Sequence, residues 1–286
     1  MSKIVDWKQI DFDGLDKKKK YFLKYGNPKT NGNFDGFSVP VNLIEKKTGK
    51  SSEFVHQGGI MRIPFGLKRK EGNYGSRFSC DMTFPTVRKD ENDDYIGDQK
   101  TLDYFHFVKQ IDENNKIVAE KESKKWFKKE IKSEIIDEFY FHNLVNPKKE
   151  QEYSPTFSTK IKWENEVFKT QFFNQHGKPI EYEAIYPGLN VVPLIETRGL
   201  WFAGKSFGMS FRLIQLMVFQ KNDFRGFAID TSSFRDLIGD EEEEEEDEKI
   251  SGVSPNFVMH KEEEDEEEEQ EEEEEEIKTK KRRKGR

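Results

Sequence analysis

The sequence predicts a β-rich α+β fold, or a β-barrel with an inserted helical pair, followed by a disordered acidic tail. Three observations carry this. Stretches that alternate apolar and polar residues come first and last in the foldable part, and helical periodicity lies only between them. That order fits α+β better than an alternating α/β sheet. Aromatic residues are abundant, and 37 of the 38 precede Asp240. Residues 240–276 hold 23 acidic against 2 basic residues, a net of −21. Like charges at that density repel, and almost no apolar surface is present to offset ordering entropy.

Taken in order, residues 1–35 are polar, with a basic cluster at 17–20, and read as a loosely tied N-terminal arm with room for one strand. Strands are expected at 39–46, 54–57, 59–65 and 77–84. In the last, Phe78, Cys80, Met82 and Phe84 alternate with Arg77, Ser79, Asp81 and Thr83, which gives one apolar and one polar face. Residues 98–112 and 121–145 read as helices. In the second, Phe127, Ile131, Ile135 and Phe139 recur every four residues, and Pro147 stops the pattern. Strands resume at 157–163, where Phe157, Thr159, Ile161 and Trp163 face one way and Ser158, Lys160 and Lys162 the other, then at 166–173, 191–196, 199–203 and 210–219. The organisation is an arm (1–35), a body (36–239) and an acidic tail with a basic end (240–286).

Charge is divided unevenly. The whole chain is at −8, yet residues 1–239 carry 39 Lys and Arg against 33 Asp and Glu, a net of +6, and residues 278–286 carry +7. A polyanion tethered to a mildly basic body mimics nucleic acid. It can compete for the body's binding face or recruit basic partners. Cys80 is the single cysteine, so no intramolecular disulfide forms, which suits a reducing compartment. The first residues do not form a signal peptide, and no apolar run approaches a membrane span. The expectation is an intracellular protein with no membrane partner.

Residues 199–206, Gly-Leu-Trp-Phe-Ala-Gly-Lys-Ser, match the phosphate-binding loop pattern G-x-x-x-x-G-K-[ST]. The match is rejected on physical grounds. Such a loop wraps its amides around phosphates and needs small, flexible residues, whereas Leu-Trp-Phe-Ala is strand-like. Ser206-Phe207-Gly208 is a poor helix start, and too little foldable chain remains for further βα units. The plainer reading is two strands with a turn at 204–208. The five histidines are scattered, with no pair at metal spacing, and Cys80 lies on an apolar face. No catalytic constellation, metal site or cofactor site is read, so the chain is expected not to be an enzyme.

What survives is a set of aromatic and basic residues interleaved on strands. Single-stranded nucleic acid exposes base faces and a string of phosphates, so a general binder needs aromatic platforms beside cations. Trp201, Phe207 and Phe211 are the candidate platforms. Arg198, Lys205 and Arg212 are the candidate phosphate contacts, with Lys160 and Lys162 on a nearby strand. In a strand-rich domain most aromatics are core, so burial of each ring stays open at this stage. No basic reading helix or zinc module points to duplex DNA.

Residues 153–161 (Tyr-Ser-Pro-Thr-Phe-Ser-Thr-Lys-Ile), 191–195 (Val-Val-Pro-Leu-Ile), Gly199-Leu200-Trp201-Phe202, and Lys205-Ser206-Phe207-Gly208 with Gln215 resemble single-stranded DNA-binding proteins of large eukaryotic DNA viruses. These in turn are similar to phage-type single-stranded DNA-binding proteins. The resemblance covers roughly residues 36–225. It implies an OB-like five-stranded barrel with helical insertions in the body. It also implies sequence-independent binding of single-stranded DNA in viral replication, recombination and repair. The acidic tail would compete with DNA or recruit replication proteins, and the protein would act in the host nucleus or a cytoplasmic viral factory. In phage-type members the tail ends in an aromatic residue. Here it ends in Lys-Arg-Arg-Lys-Gly-Arg, so docking through a terminal aromatic does not carry over. The alternative is a histone chaperone or chromatin-associated protein that uses the acidic tail to bind basic partners. The body's +6 favours DNA. The sequence leaves the oligomeric state open.

Overall fold

A computed structural model describes residues 3–30, 36–71 and 76–219. The principal strands are β1 (Tyr21–Tyr25), β2 (Lys29–Thr30), β3 (Phe37–Glu45), β4 (Phe54–Gln57), β5 (Met61–Ile63), β6 (Leu67–Lys70) and β7 (Arg77–Thr83). Three helices follow: α1 (Gln99–Lys121), α2 (Ser123–Trp126) and α3 (Ser133–Phe139). Then come β8 (Tyr140–Phe141), β9 (Thr156–Ile161), β10 (Trp163–Glu164), β11 (Val167–Phe168), β12 (Gln171–Asn174), β13 (Leu189–Ala203) and β14 (Ser206–Phe219). The acidic tail, residues 240–286, lies outside the described residues. No helix among the described residues is long and apolar enough to cross a membrane.

Five strands close into a barrel. β14 pairs with β9, β9 with β7, β7 with β5, β5 with β13, and β13 with β14 again. Counting β4 and β5 as the first barrel strand, the order around the barrel is first, second, third, fifth, fourth. The third and fifth, β9 and β14, run parallel, with Lys160 beside Arg212. This is the Greek-key order of an OB-fold. Its interior is built by the alternation seen in the sequence. Cys80 faces Thr159 and Met82 faces Phe157 across the β7–β9 pair, and all four are buried. Burial of the Cys80 thiol pushes its pKa up, as expected for an inert core cysteine.

β13 and β14 are one long antiparallel hairpin of 15 and 14 residues. The register slips between Leu194 and Ile195 and again between Thr197 and Gly199. Such bulges bend a strand. The bend lets β13 serve the barrel at one end and pair with β3 at the other. Gly199 is required at that crossing: its φ is +134°, and a Cβ there would sit 2.4 Å from the Val39 carbonyl oxygen.

Several expected elements change. The turn expected at 204–208 is only Gly204-Lys205, and β14 starts at Ser206. Gly204 has φ +56° and Lys205 does not share the positive φ, which is the II′ pattern of a two-residue hairpin. Residues 199–206 are therefore strand, turn, strand, and no helix follows. The arm holds several short strands rather than one. Val5, Ile10 and Tyr21 are buried, and the Trp7 ring lies 5.0 Å from that of Phe107.

The first helix runs nine residues beyond its expected end, and the second is broken. α1 continues through Asp112, Asn114 and Asn115, which are buried but hydrogen-bonded. The Tyr25 hydroxyl donates to Asn115 (2.7 Å) and accepts from Asn114 (2.8 Å). The Tyr140 hydroxyl donates to Asp112 (2.6 Å) and accepts from Asn115 (2.9 Å). This network ties β1, α1 and β8 together, and burial raises the Asp112 pKa despite those bonds. Residues 121–145 do not form one helix. Lys128 takes φ +63°, and the chain leaves helical geometry until Ser133. The four-residue repeat there does not mark a single face, since Ile131 is buried and Ile135 is exposed. The break matters, because it lets Trp126 and Phe127 pack on Phe202 and sends residues 140–141 onto β14 as a parallel strand.

Candidate nucleic-acid interface

Strand parity sorts the candidate residues. On β14, Phe207, Met209, Phe211 and Leu213 point inward and are buried, while Ser210 and Arg212 lie on the outer face with Gly208. Register then assembles a row of side chains across the outside of the barrel. Glu196 on β13 faces Arg212 on β14, Arg212 lies beside Lys160 on β9, Lys160 faces Ser79 on β7, and Ser79 faces Lys68 on β6. Arg77 and Lys70 form the register pair two residues further on, on the same face, and Lys162 follows just past β9. Among these six cations, Lys68 pairs with Asp81 (2.9 Å), Lys162 with Glu164 (3.1 Å) and Arg212 with Glu196. Lys70, Arg77 and Lys160 have no carboxylate partner among the described residues. Crowding by protein atoms and then the like charge of Arg77 lower the Lys160 pKa, although the residue remains exposed. An unpaired cation beside another cation is stabilised by any phosphate that arrives.

Further along the hairpin the same face turns aromatic. Ser38 on β3 faces Trp201 on β13, Trp201 faces Gly208 on β14, and Gly208 lies beside Phe141 on β8. A Cβ on Gly208 would meet Trp201 Cζ2 at 3.2 Å and the Phe141 carbonyl oxygen at 2.9 Å, so the indole lies across this position only because it is glycine. The Trp201 and Phe141 ring centroids are 5.9 Å apart, and Phe141 is 56 % exposed. Four residues of strand, about 13 Å, separate this pair from the Arg212 row. A groove of about 430 Å³ runs between β3 and β13, bordered by Lys29, Arg198, Trp201 and Ser210. Arg198 is the extra residue of the second bulge, with its side chain 53 % exposed.

Of the eight residues picked from the sequence, the structure brings Arg198, Arg212, Lys160 and Lys162 to one face. Trp201 lies further along that face, and Lys205 stands exposed on the adjoining turn. Phe207 and Phe211 must be corrected. Phe207 is enclosed by Phe202 (5.2 Å), Tyr140 (5.2 Å) and Phe127 (5.4 Å), and Phe211 packs on Phe157 (5.0 Å). Both are core side chains, because they share strand parity with Met209 and Leu213, and neither offers a face to a base. Sequence reasoning missed Phe141, Lys29, Lys68, Lys70 and Arg77. The alternation of β7 did mark Arg77 as outward, whereas Phe141 gave no signal because it was assigned to a helix.

Residues 92–231 match a family model described as a family of unknown function (DUF5871). No curated protein sequence matches the chain. Among solved structures, the chain is similar to the single-stranded DNA-binding protein of bacteriophage Enc34, with 12 % identity over 74 % of this chain and 99 % of that one and a TM-score of 0.33. The Enc34 protein in complex with single-stranded DNA gives 11 % identity over 69 % and 96 %, with a TM-score of 0.33. Similarity to gp2.5, a single-stranded DNA-binding protein of bacteriophage T7, is 12 % over 66 % and 98 %, with a TM-score of 0.37.

Proposed function

We propose that this chain binds single-stranded DNA without sequence preference and performs no chemistry on it. The observation that carries the proposal is the outward cation row Arg212–Lys160–Lys68, with Arg77 and Lys70 beside it, on the same face as the Trp201–Phe141 pair. An OB barrel offers oligonucleotides the outer face of its second and third strands, flanked by the loop after the first strand and the loop joining the fourth and fifth. Here those strands are β7 and β9, and the flanking segments hold Lys68, Lys70 and Lys205. Cations spaced along such a face follow a phosphate backbone, and exposed rings accept any base because every base has a π-face. Lys205 then serves a strand's phosphate rather than a nucleotide's terminal phosphates.

The biological setting we propose is viral DNA replication, recombination and repair, in the host nucleus or a cytoplasmic viral factory. The acidic residues 240–276 compete with DNA for the cationic face or recruit replication proteins. That segment also favours a second reading, capture of basic proteins such as histones. A gel-shift series with single strand, duplex and core histones separates the two. Single strand held best supports the proposal, and histones held with no DNA shift would replace it with the second reading.

A further inference from the structure

We propose that Glu196 is a positioning residue that sets Arg198 and Arg212 as a two-pronged clamp for one phosphate. The inference rests on the single-strand-binding reading above. Glu196 lies on β13 with its side chain only 4 % exposed, at the edge of the groove that Trp201 and Lys29 border. One of its carboxylate oxygens accepts from Arg198 Nη1 at 3.3 Å, and the other contacts Arg212 Nη2. The two arginines come from different strands. Arg212 faces Glu196 in register, and Arg198, two residues along β13, lies on the same side as Glu196 and reaches its carboxylate there. Each guanidinium has five N–H donors, and Glu196 touches one nitrogen of each. The remaining donors are left for the outer face, where the arginine side chains are 53 % and 29 % exposed.

A carboxylate this deeply buried is costly unless it is paired, so it holds both arginines in place whether or not DNA is present. Fixing the planar forks beforehand removes ordering cost from the binding step. Lys160, next to Arg212 in register, adds a third cation to the same phosphate site. Charge counting alone predicts the opposite role. An acid on a cationic face should repel DNA, and its neutralisation should tighten binding.

The two views differ in sign, so one experiment decides. Full-length wild type and Glu196→Gln are titrated onto a fluorescent oligothymidylate over a salt series. The clamp predicts that Glu196→Gln binds about tenfold more weakly. It also predicts a plot of log affinity against log salt that is shallower by about 0.7, the value of one phosphate contact on a single strand. Unchanged affinity, or tighter binding with a steeper salt dependence, overturns it. To exclude a loss through misfolding, the same substitution is made in an Arg198→Ala/Arg212→Ala background. There Glu196→Gln should cost nothing further, and a further tenfold loss overturns the clamp. A wild type that does not bind the oligonucleotide fails the functional reading itself, and the clamp with it. Failure of the clamp alone leaves wild-type binding intact.

Discussion

His56 should make the folded chain acid-sensitive well above the carboxylate range. It lies on β4, fully buried, with its ring 4.9 Å from that of Phe54 and 5.4 Å from that of Phe107. Nε2 shares a hydrogen bond with the Tyr104 hydroxyl at 3.1 Å, and Nδ1 has no hydrogen-bond partner among the described residues. Burial alone pushes its pKa down to about 3, against an ordinary 6.5. Below pH 6.5 the unfolded chain takes up a proton that the folded chain refuses. Stability is therefore full above about 6.5 and is lost as pH falls towards 3. At ~1.4 kcal/mol per pH unit, the neutral ring contributes roughly 5 kcal/mol over that window. Urea unfolding followed by tryptophan fluorescence, at steps from about pH 7.5 to 5, measures it against His56→Gln, which keeps an acceptor for Tyr104. Wild type should lose ~1.4 kcal/mol per pH unit more than the variant below about pH 6.5. Parallel curves would refute the reasoning, as would a His56 imidazole seen by NMR to titrate at its ordinary value in the folded protein.

Removing either ring of the outer-face pair, half-buried Trp201 or exposed Phe141, by Trp201→Ala or Phe141→Ala should weaken single-strand binding by ~1–3 kcal/mol per stacked base. Binding isotherms and a thermal melt check this together, and Phe141→Ala should leave the melt almost unmoved. Phe207→Ala should do the reverse. It opens a cavity among Phe127, Tyr140 and Phe202 and should destabilise the fold by about 3–5 kcal/mol in urea titration, while the folded fraction binds DNA as before. Cutting the chain after Gly239 should raise affinity for single strands, most at low salt where screening is weakest. A cut after Glu276, which leaves the glutamates unopposed, should lower it. Equal binding by both truncations and the full chain would show that the tail does not compete.

The barrel was legible because its chemistry repeats every two residues. Phe78, Cys80 and Met82 on β7, and Phe157, Thr159 and Ile161 on β9, declare their inner face without help from the rest of the chain. The same rule, applied to β14, places Phe207, Met209, Phe211 and Leu213 on one side and Arg212 on the other. The misreading of Phe207 and Phe211 as platforms came from treating a dense aromatic-basic segment as one surface. Other features were not readable. The outward facing of Trp201 escapes strand parity counted from Glu196, because a bulge at Arg198 adds one residue, and bulges leave no reliable mark in a sequence. The polar residues 112–115 looked like the end of a helix. Of these, Asp112, Asn114 and Asn115 are buried, and Tyr25 and Tyr140 arrive from distant strands to bond them. Phe141 is placed by a helix break at Lys128 and a parallel pairing with Gly208, and both are set by tertiary packing.

Competition binding tests the central claim most directly. The full-length chain is held on a labelled single strand and challenged with unlabelled single strand or duplex of equal length, over a salt series. The cation row with its aromatic pair predicts that single strand displaces the label far better than duplex, and that affinity falls steeply as salt rises. Equal displacement by the two competitors, or binding indifferent to salt, would contradict it.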